Sequence, residues 1–262
     1  MIKRKELADI QNLWDELAEF NAAQSAEALT HLMRRLAVMT GADNAFWVAG
    51  VRMAKGASAL QDAQHGWRGR VVRWLHSAPE IIRQSDEATQ KQDTEPDMAT
   101  CALTARTGTF RVQRLRDGFV DFPKFKKTSQ YRAYYENLKV SDRLWVVAPV
   151  NADAESYFVF DRNQKARRFS AHDADVAGVV LRAVKGFHRQ IFLSHGLLVG
   201  QTPLSPTQHR VARLMLTGMP EKQIASELGL SFSTEHKHVM AVFQRFGVKS
   251  RAAFMAVWLG QG

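Results

Sequence analysis

Cysteine is nearly absent: Cys101 is the only one in 262 residues. A single cysteine excludes an intramolecular disulfide and any zinc site built on several thiolates, and it fits a reducing compartment. No apolar run approaches the length needed to span a bilayer, so no membrane partner is expected. The start, Met1-Ile2-Lys3-Arg4-Lys5-Glu6, is charged with no apolar stretch behind it. It reads against a secretory signal and for a cytoplasmic protein. Also missing are a glycine-rich phosphate loop, a zinc-ligand spacing and a Gly-x-Ser-x-Gly elbow. No catalytic residue, cofactor or metal is therefore expected, and the chain does not read as an enzyme. Acidic residues are in deficit: 26 against 36 basic ones, a formal charge of +10 and a pI near 9.9. Such a balance favours polyanions, nucleic acid first among them, although it also fits a protein that is merely soluble and basic.

The most organised stretch is the last sixty or so residues. Ile224-Ala225 followed by Leu228-Gly229-Leu230 predicts a short helix and a tight turn. Gly229 accepts the left-handed backbone that ends a helix, and the Ser231 hydroxyl is placed to cap a second helix running through Phe246. Two short helices joined this way form a helix-turn-helix, whose second helix enters the DNA major groove. Before it, Ser205-Pro206-Thr207-Gln208 is a capping box with proline at the first helical position. Val211, Leu214 and Met215 follow at helical spacing, and Gly218 stops that helix. Ser250 caps a last helix over residues 251–259. The region adds Arg210, Arg213, Lys222, Lys237, Arg245, Lys249 and Arg251 against Glu221, Glu227 and Glu235. Much of the positive excess therefore lies elsewhere.

Leu204-Ser205-Pro206-Thr207-Gln208, Gly218, Gln223-Ile224-Ala225-Ser226-Glu227-Leu228-Gly229-Leu230-Ser231, Thr234, His238 and Phe246-Gly247-Val248-Lys249-Ser250-Arg251 resemble the LuxR-type (GerE) DNA-binding domain. The resemblance implies a four-helix domain that binds double-stranded DNA as a homodimer, commonly through its last helix. This sequence departs from the pattern at Gln208, where the family has an acid, and at Pro220, where a polar residue usually opens the second helix. It departs again at Glu235, where the resemblance puts valine.

Phe232, Glu235, Val239, Val242 and Phe246 share one helical stripe. Glu235 thus occupies an apolar position, where an unpaired carboxylate is costly. Three readings stay open: a tolerated substitution at the stripe's edge, an altered base preference through a carboxylate that accepts from cytosine, and a degenerate domain serving protein contact in a sensor or scaffold. Lys222, Thr234, Lys249 and Arg251 are phosphate candidates, and His236, Lys237 and Met240 should project toward base edges. His236 and His238, two apart on a helix, point apart and form no metal pair. Phe254 and Trp258, and the helix over residues 171–193, are candidate dimer contacts.

Upstream, residues 5–20 and 26–39 read as amphipathic helices, residues 45–53 and 67–76 as strands, and residues 80–88 as a helix. The polar stretch 86–97 reads as a loop. Residues 144–150 and 156–161 suggest a hairpin. Ser170, with Asp173 three residues on, caps a long helix over residues 171–193. Helices, then strands, then a closing helix imply an α+β sensory domain with an antiparallel sheet covered by helices. In order of elements it resembles GAF- or PAS-like sensor domains. Expected boundaries are a sensory domain over 1–193, a linker over 194–203 and an all-α helix-turn-helix domain over 204–262. Trp47, Trp67, Trp74, Tyr131, Tyr135, Trp145 and Phe158 are candidates to line a pocket for a small-molecule effector. Ordinary core packing competes with that role at each position.

Overall fold

The computed structural model describes residues 2–163 and 166–260. The chain divides into two compact units: Met1–Trp14 with Thr30–Lys185, and Asp15–Leu29 with Gly186–Gly262. The sequence reading grouped residues 1–193; here Asp15–Leu29 cluster with the C-terminal helices instead.

The first unit is built on a five-stranded antiparallel sheet. Its helices and strands are α1 (Arg4–Ala18), α2 (Ser25–Thr40), β1 (Asn44–Arg52), α3 (Ala57–Gln61), β2 (Trp67–Trp74), α4 (Pro79–Lys91), α5 (Met98–Thr104), β3 (Arg111–Arg114), α6 (Phe122–Phe125), α7 (Ser129–Tyr131), β4 (Val140–Asn151), β5 (Ala154–Asn163) and α8 (Ala171–Ala183). The units divide within α1 and α2. A single π-helical turn, Arg132–Glu136, follows α7. The strand order is β2-β1-β5-β4-β3. The β4–β5 hairpin falls where the sequence places it, and the capping box of Ser170 and Asp173 opens α8 as expected.

Side chains alternate across the sheet, which sorts residues onto two faces. One rung runs Trp47, Phe158, Val146 and Val112. This face packs against α8 so closely that a Cβ on Gly178 would meet Val112 Cγ2 at 3.0 Å. The opposite face presents Phe46, Val48, Tyr157, Val159, Trp145 and Arg143. It also carries two buried ion pairs that the sequence did not reveal. Arg111 forks onto Glu155 through Nη1 at 2.9 Å and Nη2 at 2.8 Å. Arg143 Nη2 donates to Asp161 at 2.8 Å. Beyond α4, the Gln92 side chain accepts from the Gly69 N–H at 3.1 Å and donates to its carbonyl at 3.4 Å. The stretch read as a loop is thus partly helical, since α4 runs to Lys91.

The second unit is helical: α9 (Lys185–Ser194), α10 (Pro206–Met215), α11 (Glu221–Leu228), α12 (Phe232–Phe246) and α13 (Arg251–Trp258). The single long helix expected over 171–193 is two helices, because Val184 leaves the helical region at φ −95°, ψ 47°. Leu204, Val211, Met215, Ile224, Val239, Val242, Phe246 and Phe254 form the core of this unit. An Arg213–Glu27 ion pair at 2.8 Å ties α10 to the segment ahead of α2's centre.

Candidate functional site: an exposed helix face and an aromatic cavity

The caps that define the helix-turn-helix are those the sequence implies. Gly229 closes α11 at φ 65° in the left-handed region, where a Cβ is disfavoured. Ser231 Oγ accepts the Thr234 N–H at 3.2 Å to start α12. Pro220, at the head of α11, offers no side-chain cap. Gly247, at φ 66°, ends α12. These ends fix the length and direction of α12 and sort its side chains into two faces.

Inward lie Glu235, Val239, Val242, Phe243 and Phe246. Outward lie Ser233, His236, Lys237, Met240 and Gln244. The structure thus brings three sequence candidates, His236, Lys237 and Met240, onto one exposed face. Thr234 is exposed in the first turn, its hydroxyl 2.8 Å from that of Ser231. Lys222 on α11 and Lys249 just before α13 are also exposed. His236 Nδ1 lies 2.9 Å from Glu221 Oε2, a partner the sequence reading missed because it lies fifteen residues away across the turn.

Three expectations need correction. Arg251 does not reach outward: its Nε donates to the Met215 carbonyl at 2.8 Å and its Nη1 to that of Met219 at 2.6 Å. It satisfies carbonyls at and beyond the end of α10 and is not available for a phosphate. Phe254 and Trp258 belong to the unit's own core. Phe254 is fully buried, edge-on to Phe246 at 5.0 Å and tilted against Trp258 at 4.8 Å. They offer no surface to a second copy; near them Met255 and Leu259 are exposed instead. Phe232 stands at the first position of α12 and is 50% exposed, so the buried stripe begins one turn later, at Glu235.

Glu235 has no solvent exposure, and both its oxygens lack a hydrogen-bond partner among the described residues. Burial raises its carboxyl above the usual range. The nearby Glu221 charge adds to the rise and His236 opposes it.

In the first unit a cavity of about 230 Å³ lies against the sheet face that carries Phe46 and Tyr157, with α4 and α5 also contributing walls. Of the seven aromatic candidates, Trp67, Trp74 and Trp145 line it. Trp47 and Phe158 face the other side of the sheet, where Trp47 Nε1 donates to Ser156 Oγ at 2.7 Å. Tyr131 and Tyr135 stack on each other at 5.0 Å and meet Phe125 edge-on, in the core beside the cavity. The Tyr135 hydroxyl accepts from Arg143 Nη1 at 3.4 Å. The four are therefore packing residues and do not line the cavity.

The cavity's polar groups escaped the sequence reading. Asp97 caps α5 by accepting from the Thr100 N–H at 2.8 Å and its hydroxyl at 2.9 Å, and burial pushes its carboxyl up. Gln84 Nε2 donates to Glu80 Oε1 at 2.7 Å, which fixes the orientation of the amide. Gln84 Oε1 and Trp74 Nε1 are buried without a partner among the described residues, and both residues line the cavity. Unpaired buried polar atoms of this kind are uncommon in folded proteins. Burial pushes the Cys101 thiol up to about 11, which disfavours the thiolate. Among the described residues no cluster of His, Cys, Asp and Glu is arranged to hold a metal. No helix among them is long and apolar enough to cross a membrane.

Residues 202–257 match the GerE model, described as bacterial regulatory proteins, luxR family. Among solved structures the chain is similar to SdiA in complex with octanoyl-rac-glycerol, at 10% identity over 100% of this chain and 98% of that one, with a TM-score of 0.46. It is similar to Escherichia coli SdiA at 12% identity over 97% of each chain, with a TM-score of 0.46. It is also similar to the VqsR LBD domain from Pseudomonas aeruginosa at 12% identity, over 73% of this chain and 98% of that one, with a TM-score of 0.47. No match to a curated protein was found.

Proposed function

We propose, from the match of residues 202–257 to the luxR-family model, that the chain is a cytoplasmic transcription regulator that binds double-stranded DNA through α12 and takes a small molecule in the first unit's cavity. The observation that carries the DNA reading is the exposed face of α12. His236, Lys237 and Met240 project from a helix whose ends are capped and whose other face is core. Lys222, Thr234 and Lys249 flank that face as phosphate contacts. One short recognition helix reads few bases, so a homodimer is proposed. Its site is a pseudo-palindrome with half-sites about one DNA turn apart.

Binding of the full chain to a randomised duplex pool at two salt concentrations tests this. A preferred sequence and an affinity that falls with salt support it. Sedimentation as a monomer with and without DNA would remove the dimer.

The effector reading rests on the cavity of about 230 Å³, whose walls carry Trp67, Trp74 and Trp145 together with Gln84. Such walls suit a small molecule with an apolar body. A ligand at one hundred times its dissociation constant adds about 2.7 kcal/mol of stability. A metabolite screen with no shift in melting temperature counts against it.

A second reading, a sensor whose helix-turn-helix serves protein contact, is favoured by one observation: the carboxylate of Glu235 on the inward face of α12, without a hydrogen-bond partner among the described residues. Full-chain binding to no duplex at low salt would select it.

A further inference from the structure

The outward face of α12 holds one side chain whose chemistry is set from another element. His236 is about half exposed, and its Nδ1 contacts Glu221, in the first turn of α11. The Phe232 ring, one turn earlier on α12, lies near-parallel to the imidazole with centroids 6.1 Å apart. A contact across the turn and a ring alongside together restrict how the imidazole stands on its helix. Nε2 has no hydrogen-bond partner among the described residues, and the ring belongs to the face proposed to meet DNA.

We propose, resting on the DNA-binding reading, that Glu221 is a positioning residue that fixes the tautomer of His236. His236 then selects an amino base, adenine or cytosine, over a keto base at one position of each half-site. An ionised carboxylate only accepts, so its contact with Nδ1 requires the ring proton to sit on Nδ1. In a ring with one proton, Nε2 is then a bare acceptor. In the major groove adenine N6 and cytosine N4 donate, whereas guanine O6 and thymine O4 accept. A bare ring nitrogen gains a hydrogen bond from the first pair. Against the second it faces another acceptor, and both groups are desolvated without compensation. One neutral hydrogen bond corresponds to a preference of roughly 3- to 10-fold. Lys237 and Met240, on the same face, suit the opposite choices, a guanine edge and a thymine methyl. An amino-base preference on this face therefore points to His236 and not to them.

The test is selection from a randomised duplex pool by the full chain at pH 8, where an ordinary imidazole carries one proton. The unaltered protein, His236→Ala and Glu221→Gln are compared. The unaltered protein is expected to enrich adenine or cytosine at one half-site position by roughly 3- to 10-fold. His236→Ala should lose discrimination there and keep the other positions. In Glu221→Gln the amide can donate to Nδ1, which frees the proton for Nε2. The preference at that same position should then weaken or turn toward guanine or thymine. Glu221→Asp, which keeps the carboxylate, should restore part of the original preference. A keto preference in the unaltered protein overturns the inference. So does an enriched site unchanged in His236→Ala, or a Glu221→Gln preference identical to the original, and in each of these cases DNA binding itself still stands. Binding to no duplex overturns the DNA reading and this inference together. Both residues are solvent-accessible, so melting temperatures near the original are expected for every variant.

Discussion

Glu155 in the first unit and Glu235 in the second are both shut off from solvent. Glu155 receives the fork of Arg111, the Tyr157 hydroxyl at 2.7 Å and the Gly108 N–H at 2.8 Å. Glu235 receives no hydrogen bond among the described residues. A strand lets neighbouring chains bring donors diagonally across the sheet, and β3 supplies Arg111 to β5 in that way across β4. A helix stripe brings only what lies three or four residues away and what packs against it. For Glu235 that includes Val239 and Val242 and, close enough to repel, the charge of Glu221. Equal burial therefore carries opposite consequences. A satisfied carboxylate anchors its surroundings, and an unsatisfied one costs its domain stability.

The largest expected effect breaks the satisfied case. Arg111→Leu leaves Glu155 buried without its cation and should cost about 3–5 kcal/mol in urea unfolding. A cost below about 1 kcal/mol would mean that the other two donors suffice for Glu155.

Lys237→Ala separates the outer face of α12 from the inner one. It should leave thermal unfolding unchanged and cost about 1–3 kcal/mol of specific DNA binding. If affinity instead drops equally for all sequences and the salt dependence flattens, Lys237 touches phosphate alone. No change in either quantity removes it from the interface.

Glu235→Val repairs the unsatisfied case and should stabilise the protein by on the order of 1 kcal/mol, from added apolar burial and removed desolvation. A clear loss of stability would reveal a favourable partner for Glu235. Binding-site selection with the same variant asks whether the carboxylate also tunes base preference.

The smallest effect is in pH. Because the Glu235 carboxyl is raised in the folded state, that state holds its proton longer than the unfolded chain does. Its relative stability is therefore highest in acid and falls as pH climbs from the ordinary carboxylate range through the raised value. The melting-temperature gap between Glu235→Val and the unaltered protein should widen over that interval and then level off. A gap that is constant from pH 4 to 8 would contradict the raised value.

What could be read from the sequence was what is local. Ser205, Ser231 and Ser250 cap helices through residues three positions on, and Gly229 needs only its own backbone. The C-terminal helices and the inward position of Glu235 followed from such signals. Arg251 was misread because an arginine bound to carbonyls and one bound to phosphate look alike in sequence. Phe254 and Trp258 were misread because an apolar stripe does not say whether its own domain or a second copy covers it. The cavity was only partly legible: its aromatic residues were named together, but register decides which face each takes. Trp145 and Val146 point oppositely across one sheet. The break at Val184 has no proline or glycine at that position to announce it.

The strand order leaves β2 and β3 at the rims of the sheet. An outer strand offers unpaired backbone groups to any passing chain, the usual route to edge-to-edge aggregation. β3 is only four residues long, which limits the invitation on its side. On β2, the Gln92 amide takes both backbone groups of Gly69, as a neighbouring strand would. Arg68, on the same strand, is itself held by Asp62 at 2.7 Å and by Asp93. A side-chain amide standing in for a strand on one rim, and a very short strand on the other, both reduce what a second copy could pair with.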